Sequence, residues 1–318
     1  MIITSLLFVG CSLFSTPAPD DDDEDDTAET GETGEDTEEE PEILWAKYKV
    51  DTTASLQGVY SSGAGVYVAG SRGQAWVGSA TSEWATVALP SEFGGVDVNG
   101  LWGKGAEATL ELAIAGDDGW VGVYTAGSWL TWSVGLGDNL AIHGTSTSNL
   151  YVVGENGILH FNGTTWSQEY VGTVDINAVW AYDGGAFAAG NEGLVLRTAG
   201  DGTWTATDTG KFANFYGVSG SGASNVWVVG DQGATVLWNG TNWASKDTEL
   251  TDTLNAIFVP SADAAVAVGN NGATIKWDGE AWNTLANETH QNLYAVHGVS
   301  GTNAWAVGNG GMAMQYKE

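Results

Sequence analysis

Between residues 43 and 318 short apolar runs alternate with glycine-centred turns, and one pattern returns seven times. In each copy an apolar run closes on Gly-x-x-Gly: YVAGSRG, LAIAGDDG, YVVGENG, FAAGNEG, WVVGDQG, AVAVGNNG and WAVGNGG. The first glycines are Gly70, Gly116, Gly154, Gly190, Gly230, Gly269 and Gly308, spaced 46, 38, 36, 40, 39 and 39 residues apart. Apolar and polar residues alternating with period two mark a strand that buries one face. The copy around Gly269 has an alternating segment Leu254-Asn255-Ala256-Ile257-Phe258, a run from Ala264 to Val268, the glycine turn, a run from Ala273 to Trp277, a tight Asp278-Gly279 turn and a strand opening at Trp282. Asp278-Gly279, like Asn162-Gly163 and Asn239-Gly240, supplies the positive φ angles of a two-residue hairpin. Each unit thus predicts four antiparallel strands joined by hairpins. Its length of about 39 residues suits a propeller blade, and no helical periodicity of useful length interrupts the pattern.

The two ends of the pattern complement each other. The seventh copy stops at Glu318, after its third strand, while Leu44-Trp45-Ala46-Lys47-Tyr48-Lys49-Val50 matches the fourth-strand pattern seen at Trp84, Trp166, Trp204, Trp243 and Trp282. In the second unit, Trp129 or Trp132 fills that slot. An N-terminal strand completing the last blade removes the open sheet edge that invites aggregation. A linear solenoid would need polar caps, and none is visible. The fold expected is all-β: a seven-bladed β-propeller of four-stranded antiparallel blades over residues 43–318, closed by the N-terminal strand.

Charge narrows the functions. The chain carries 40 acidic and 9 basic side chains, a net of −31, which argues against nucleic acid as a partner, because its phosphates require clustered Lys and Arg. Arg72 and Arg197 are the sole arginines and Cys11 the sole cysteine. An internal disulfide and a cysteine-rich metal site are therefore excluded. Residues 20–42 hold 15 carboxylates and no base, a composition that cannot bury enough apolar surface to offset the entropy of ordering. They lack the spacing of a calcium loop and are expected to form a solvated, self-repelling tether. Leu7-Phe8-Val9-Gly10-Cys11 resembles a bacterial lipoprotein signal. That resemblance implies a signal peptide over 1–10, lipidation at Cys11, a tether over 11–42 and, through Ser12, sorting to the outer membrane of the cell envelope. An ordinary secretory signal is the alternative.

The repeats resemble the BNR or Asp-box class of propeller, especially the photosystem II assembly-factor type: an apolar strand, Val-Gly-x-x-Gly, a strand, Asp-Gly, then Trp. Ala199-Gly200-Asp201-Gly202-Thr203-Trp204 comes nearest to an Asp-box. The resemblance implies a fold shared by assembly factors, sugar hydrolases and envelope proteins. Sialidase-like chemistry in that class needs an arginine triad, which two arginines cannot supply.

Within the repeat, the Gly-x-x-Gly glycines are expected to permit two-residue turns, and the fourth-strand tryptophans to pack between blades. Small residues recur mid-way along the first strand, at Gly58, Gly100, Ala141, Ala178, Gly217, Ala256 and Ala295, so that strand should be innermost. Two residues on lie Tyr60, Trp102, His143, Trp180, Ser219, Phe258 and His297, expected as a packed ring between blades. His143 and His297 lack a third ligand in that slot, so no metal site is assigned. The loops entering the first strands carry Ser55, Asp97, Asp138, Asp175, Asn214, Thr253 and Asn292, all polar at one equivalent position. They are expected to ring one mouth of the channel, on the Gly-x-x-Gly face, either as solvated strand starts or as an acidic funnel for a cation, a sugar or a basic segment of a partner. The function these features favour is an envelope-anchored, non-enzymatic binding or assembly scaffold for a protein or other envelope component, without a cofactor. A glycan-binding lectin and a paired-carboxylate glycosidase are the alternatives.

Overall fold

The computed structural model describes residues 44–135, 137–155 and 157–318. Cys11, the signal over 1–10 and the tether over 11–42 lie outside the described residues. The described chain forms seven four-stranded antiparallel sheets, taken below as blades I to VII. Their first strands are Leu56–Ser61, Val98–Lys104, Asn139–Ser146, Ile176–Tyr182, Phe215–Gly222, Leu254–Ser261 and Leu293–Ser300. Blade VI is representative: Leu254–Ser261, Ala264–Gly269, Thr274–Trp277 and Trp282–Thr284 lie in sheet order from first to fourth. First strands of consecutive blades touch, and that of blade VII touches that of blade I, so the ring is closed.

Blade VII is completed as the sequence predicts. Trp45–Lys49 is its outermost strand, with Trp45 opposite Tyr316 and Lys49 opposite Met312. Just beyond, Val50 N donates to Gly311 O at 3.0 Å and Gly311 N to Ala54 O at 2.9 Å. The strand that ends the ring thus leads directly into blade I.

The apolar core lies in seven seams, one between each pair of neighbouring blades. Because each sheet is apolar on both faces, each must be covered on both, and only a circular neighbour on either side satisfies every blade. The fourth-strand tryptophans pack as expected, each against the preceding blade. Trp84 meets Trp305 edge-on at 5.9 Å, Trp204 meets Tyr151 edge-on at 5.7 Å and Trp282 meets Trp227 edge-on at 5.0 Å. In blade II the slot belongs to Trp129, which pairs with Tyr124 and packs in the I–II seam. Trp132 turns the other way, onto Phe161 of blade III at 5.3 Å.

Trp45 is 2% exposed and packs on Tyr316 at 5.4 Å in the VI–VII seam. Truncating a buried indole costs about 3–5 kcal/mol, and here it also loosens the closing strand. Trp45→Ala is expected to lower the unfolding free energy in urea by about that amount, whereas a loss below about 1 kcal/mol would mean the ring does not depend on this strand.

Candidate functional site

The Gly-x-x-Gly turns and the loops entering the first strands share one face of the disc. The turn is not the two-residue turn expected. In blades I, II, IV, V, VI and VII it is a single 3-10 turn whose middle residue is left-handed: Arg72, Asp118, Glu192, Gln232, Asn271 and Gly310, with φ between 53° and 64°. The first glycine is extended, and what it supplies is space. A Cβ on Gly70 would lie 2.0 Å from Ser55 O, one on Gly269 2.0 Å from Thr253 O, and one on Gly308 1.9 Å from Asn292 O. In all seven blades the carbonyl that crowds this glycine belongs to the predicted ring residue, and it accepts the N–H of the residue after the glycine. Ser71 N donates to Ser55 O at 2.9 Å, for example, and Asn270 N to Thr253 O at 2.9 Å.

The seven predicted ring residues do occupy equivalent, half-buried positions around this face, and the structure engages their side chains. Four accept the amide of the left-handed residue of the preceding blade. Asp97 Oδ1 takes Arg72 N at 2.7 Å, Asp138 Oδ1 takes Asp118 N at 3.1 Å, Asn214 Oδ1 takes Glu192 N at 3.0 Å and Asn292 Oδ1 takes Asn271 N at 3.0 Å. Two donate to the preceding turn instead: Thr253 Oγ1 to Asp231 Oδ1 at 3.2 Å and Ser55 Oγ to Asn309 Oδ1 at 2.9 Å. Asp175 Oδ2 accepts Asn191 Nδ2 of its own blade at 3.2 Å. Among the described residues, six of the seven thus latch one blade to the next.

Around these latches the charge is uneven. Blades II, III and IV place Asp97, Asp117, Asp118, Asp138, Glu155, Asp175 and Glu192 at the ring and turn positions, with Asp118, Glu155 and Glu192 exposed. The equivalent positions of blades VI and VII are Thr253, Asn270, Asn271, Asn292, Asn309 and Gly310. Burial pushes the Asp117 carboxyl up; Asn99 opposes the rise, and the charges of Asp138, Asp97 and Asp118 add to it. Beside the acidic arc stand two of the most exposed apolar side chains: Val171 at the III–IV junction, 74% exposed, and Phe212 at the IV–V junction, 87% exposed. Lys211, Phe212, Asn214 and Asp231 border a cavity of about 510 Å³ on blade V.

The channel contains a set of residues that the repeat alone did not single out. Every first strand carries a β-bulge at its second residue: Gln57, Asn99, Leu140, Asn177, Tyr216, Asn255 and Tyr294 have no partner opposite them in the ladder. A bulge re-aims a side chain, and all seven of these residues line the central channel, of about 340 Å³. Their signal in the sequence is a break in alternation at the same place in each copy. In blades II, IV and VI the bulged residue is Asn, and its Nδ2 bridges two blades. Asn177 donates to Asn191 Oδ1 at 2.8 Å and to Phe215 O of blade V at 2.9 Å; Asn99 and Asn255 repeat this. Blade III inverts the order, with Asn139 in the buried position and Leu140 in the channel. Asn139 Nδ2 finds Trp120 O at 3.2 Å, but its buried Oδ1 has no partner among the described residues.

One layer deeper, the expected ring is present. His143 sits between Trp102 and Trp180 at 6.4 and 6.5 Å, and His297 between Tyr60 and Phe258 at 5.1 Å each. In blades III, V and VII the residue of this ring accepts a backbone N–H from the next blade. His143 Nδ1 takes Ala181 N at 3.0 Å, Ser219 Oγ takes Val259 N at 3.3 Å and His297 Nδ1 takes Ser61 N at 3.2 Å. An Nδ1 acceptor places the ring proton on Nε2. Burial pushes His143 down to about 3, with the charge of His297 adding, and burial pushes His297 down to about 4. Both are therefore neutral donors at Nε2, poorly suited to ligating a metal.

Among solved structures, the chain superposes on one described as YCF48 bound to D1 peptide, with a TM-score of 0.70 at 14% identity, covering 86% of this chain and 97% of that one. YCF48 from Cyanidioschyzon merolae gives a TM-score of 0.69 at 14% identity, with 86% and 99% covered. At that identity the likeness establishes the seven-bladed fold. No protein-family model matches the chain, and no curated protein does.

The two channel histidines make stability depend on pH. Each is neutral when folded and titrates near 6.5 when unfolded. Their contribution is fully present above about pH 6.5 and is lost as pH falls toward 4 and then 3. Between pH 6.5 and 5, ahead of most carboxylates, the unfolding free energy should fall by up to about 1.4 kcal/mol per pH unit for each histidine. The double variant H143N/H297N should flatten that stretch of the curve, and an unchanged slope would show that these rings titrate normally in the fold.

Proposed function

We propose that this propeller is a non-enzymatic binding scaffold whose turn-bearing face docks a basic segment of a partner protein. The observation that carries this is the carboxylate arc of blades II to IV, on a face whose equivalent ring and turn positions in blades VI and VII carry no charge. Asp118 and Glu192 are held in fixed positions because their own amides form the latches to the next blade. A rigid like-charged arc attracts a segment of opposite charge and adds little entropy cost on binding. Val171 and Phe212, exposed at the two junctions beside the arc, supply apolar contacts next to the charge, the arrangement that concentrates binding energy. A propeller of the same fold bound to a peptide, YCF48 with D1 peptide, supports a peptide segment as the occupant.

The absence of catalytic function in this proposal rests on the engagement of the polar groups. His160 and Glu169, 2.8 Å apart, have the composition of a proton-transfer pair. But His160 Nε2 is bound to Asn149 Oδ1 at 2.7 Å, the second Glu169 oxygen takes Trp204 Nε1 at 3.1 Å, and Tyr151 stacks on the imidazole at 4.3 Å. Burial and the Glu169 charge push the Tyr151 hydroxyl up to about 12. The pair is a pin in the III–IV seam, closed to a substrate. Among the described residues no three His, Cys, Asp or Glu side chains are grouped to hold a metal. Anchoring belongs to the same proposal: lipid on Cys11 and the acidic stretch over 20–42 hold the disc off the outer membrane of a bacterial envelope.

A peptide-display selection on the full chain tests the docking face. Retained peptides should be enriched in Lys and Arg, should elute as salt rises and the Debye length shrinks, and should be lost with D118N/E155Q/E192Q, which keeps every latch amide. Enrichment without regard to charge, or unaltered by that triple variant, would contradict the assignment.

A further inference from the structure

In a chain with a net charge of −31, none of the residues described as lining the central channel is Asp, Glu, Lys or Arg. The two histidines that reach it are neutral. An anionic ligand would lose its hydration there without gaining a counter-charge, and would meet the Asp117 carboxylate behind the lining, where its Oδ1 accepts from Asn99 Nδ2 at 2.7 Å. The polar groups that remain are hydrogen-bonding ones with unused capacity. Both Nδ2 hydrogens of Asn99, Asn177 and Asn255 are engaged between blades, which leaves each Oδ1 as an acceptor. His143 and His297 keep Nε2–H as a donor, because Nδ1 already holds a backbone amide. Gln57 and Tyr294 find no side-chain partner among the described residues.

These groups are unevenly distributed. Tyr216, Asn255, Tyr294 and Gln57 occupy the bulge position in blades V, VI, VII and I in turn, so two phenol rings flank an amide acceptor with a free amide beside them. We propose that this sector of the channel mouth binds a neutral saccharide, as a monosaccharide or the end of a short glycan. A pyranose offers C–H faces for the tyrosine rings and hydroxyls that both donate to Asn255 Oδ1 and accept from Gln57. A channel of about 340 Å³ falls at the small end of the ~300–1,000 Å³ range of ligand pockets. The bulge repeated in every blade keeps these side chains pointing inward whether or not a ligand is present, so little ordering cost accompanies binding. This site is separate from the acidic arc and does not depend on it.

The test uses the full chain with N-acetylglucosamine and cellobiose as neutral probes and glucuronate as the anionic control, followed by saturation-transfer NMR and calorimetry. Saturation should pass to at least one neutral sugar and not to glucuronate. Tyr294→Leu and Gln57→Leu remove side chains that hold nothing else together, so their melting temperatures should stay at the parent value while affinity falls about tenfold or more. Two results overturn the proposal: no transfer to either neutral sugar, or transfer that both variants leave unchanged.

Discussion

The disc is organised by one contact made in every blade and carried across six of the seven blade junctions among the described residues: a turn held against a loop that enters a first strand. Within a blade, the loop residue's carbonyl crowds the first glycine of Gly-x-x-Gly and accepts the next amide. Between blades, the same residue's side chain takes the amide of the preceding turn's left-handed residue, as in Asp97 with Arg72 and Asn292 with Asn271. One short segment therefore fixes both the turn and the angle to the neighbour. The bulk of each seam is non-directional apolar packing, which sets how strongly two blades adhere and not where they stop. The hydrogen bonds supply the stop, and the alternating acceptors His143, Ser219 and His297 repeat the device one layer deeper.

That division of labour explains which parts of the molecule can vary. Carbonyl and amide belong to the backbone, so the turn's middle residue is free to be Arg72, Asp118, Glu192, Gln232 or Asn271. The face can then carry seven carboxylates on blades II to IV and none at the matching sites of VI and VII without disturbing the frame. The channel follows the same logic, since the bulge fixes where the residue points and leaves its chemistry open, from Leu140 to Tyr294.

The sequence disclosed the frame more fully than the sites. Blade number and closure were readable because they rest on copies of one pattern and on a missing strand that Trp45 supplies. The tryptophan slots were readable for the same reason, and the ambiguity between Trp129 and Trp132 needed only the seam each enters. The seven loop residues stand at equivalent positions beside the turns, but their engagement depends on distances across blades that spacing along the chain does not encode. The Gly-x-x-Gly glycines read as turn formers, but what the first one supplies is space, because its backbone is extended and a carbonyl excludes the Cβ. The bulge residues escaped because a single break in alternation looks like noise until the ladder is seen. The swapped pair Asn139-Leu140 looks unremarkable until Asn139 is found buried with an unpartnered oxygen.

Hydrogen exchange at the turn amides tests the interblade latch most directly. Arg72, Asp118, Glu192 and Asn271 have left-handed backbones in surface turns, where an amide free to solvent exchanges fast. If their N–H groups are held by the next blade, they should exchange as slowly as strand amides, opening only with the ring. Exchange at the rate of an unprotected turn would mean that these latches do not hold one blade to the next.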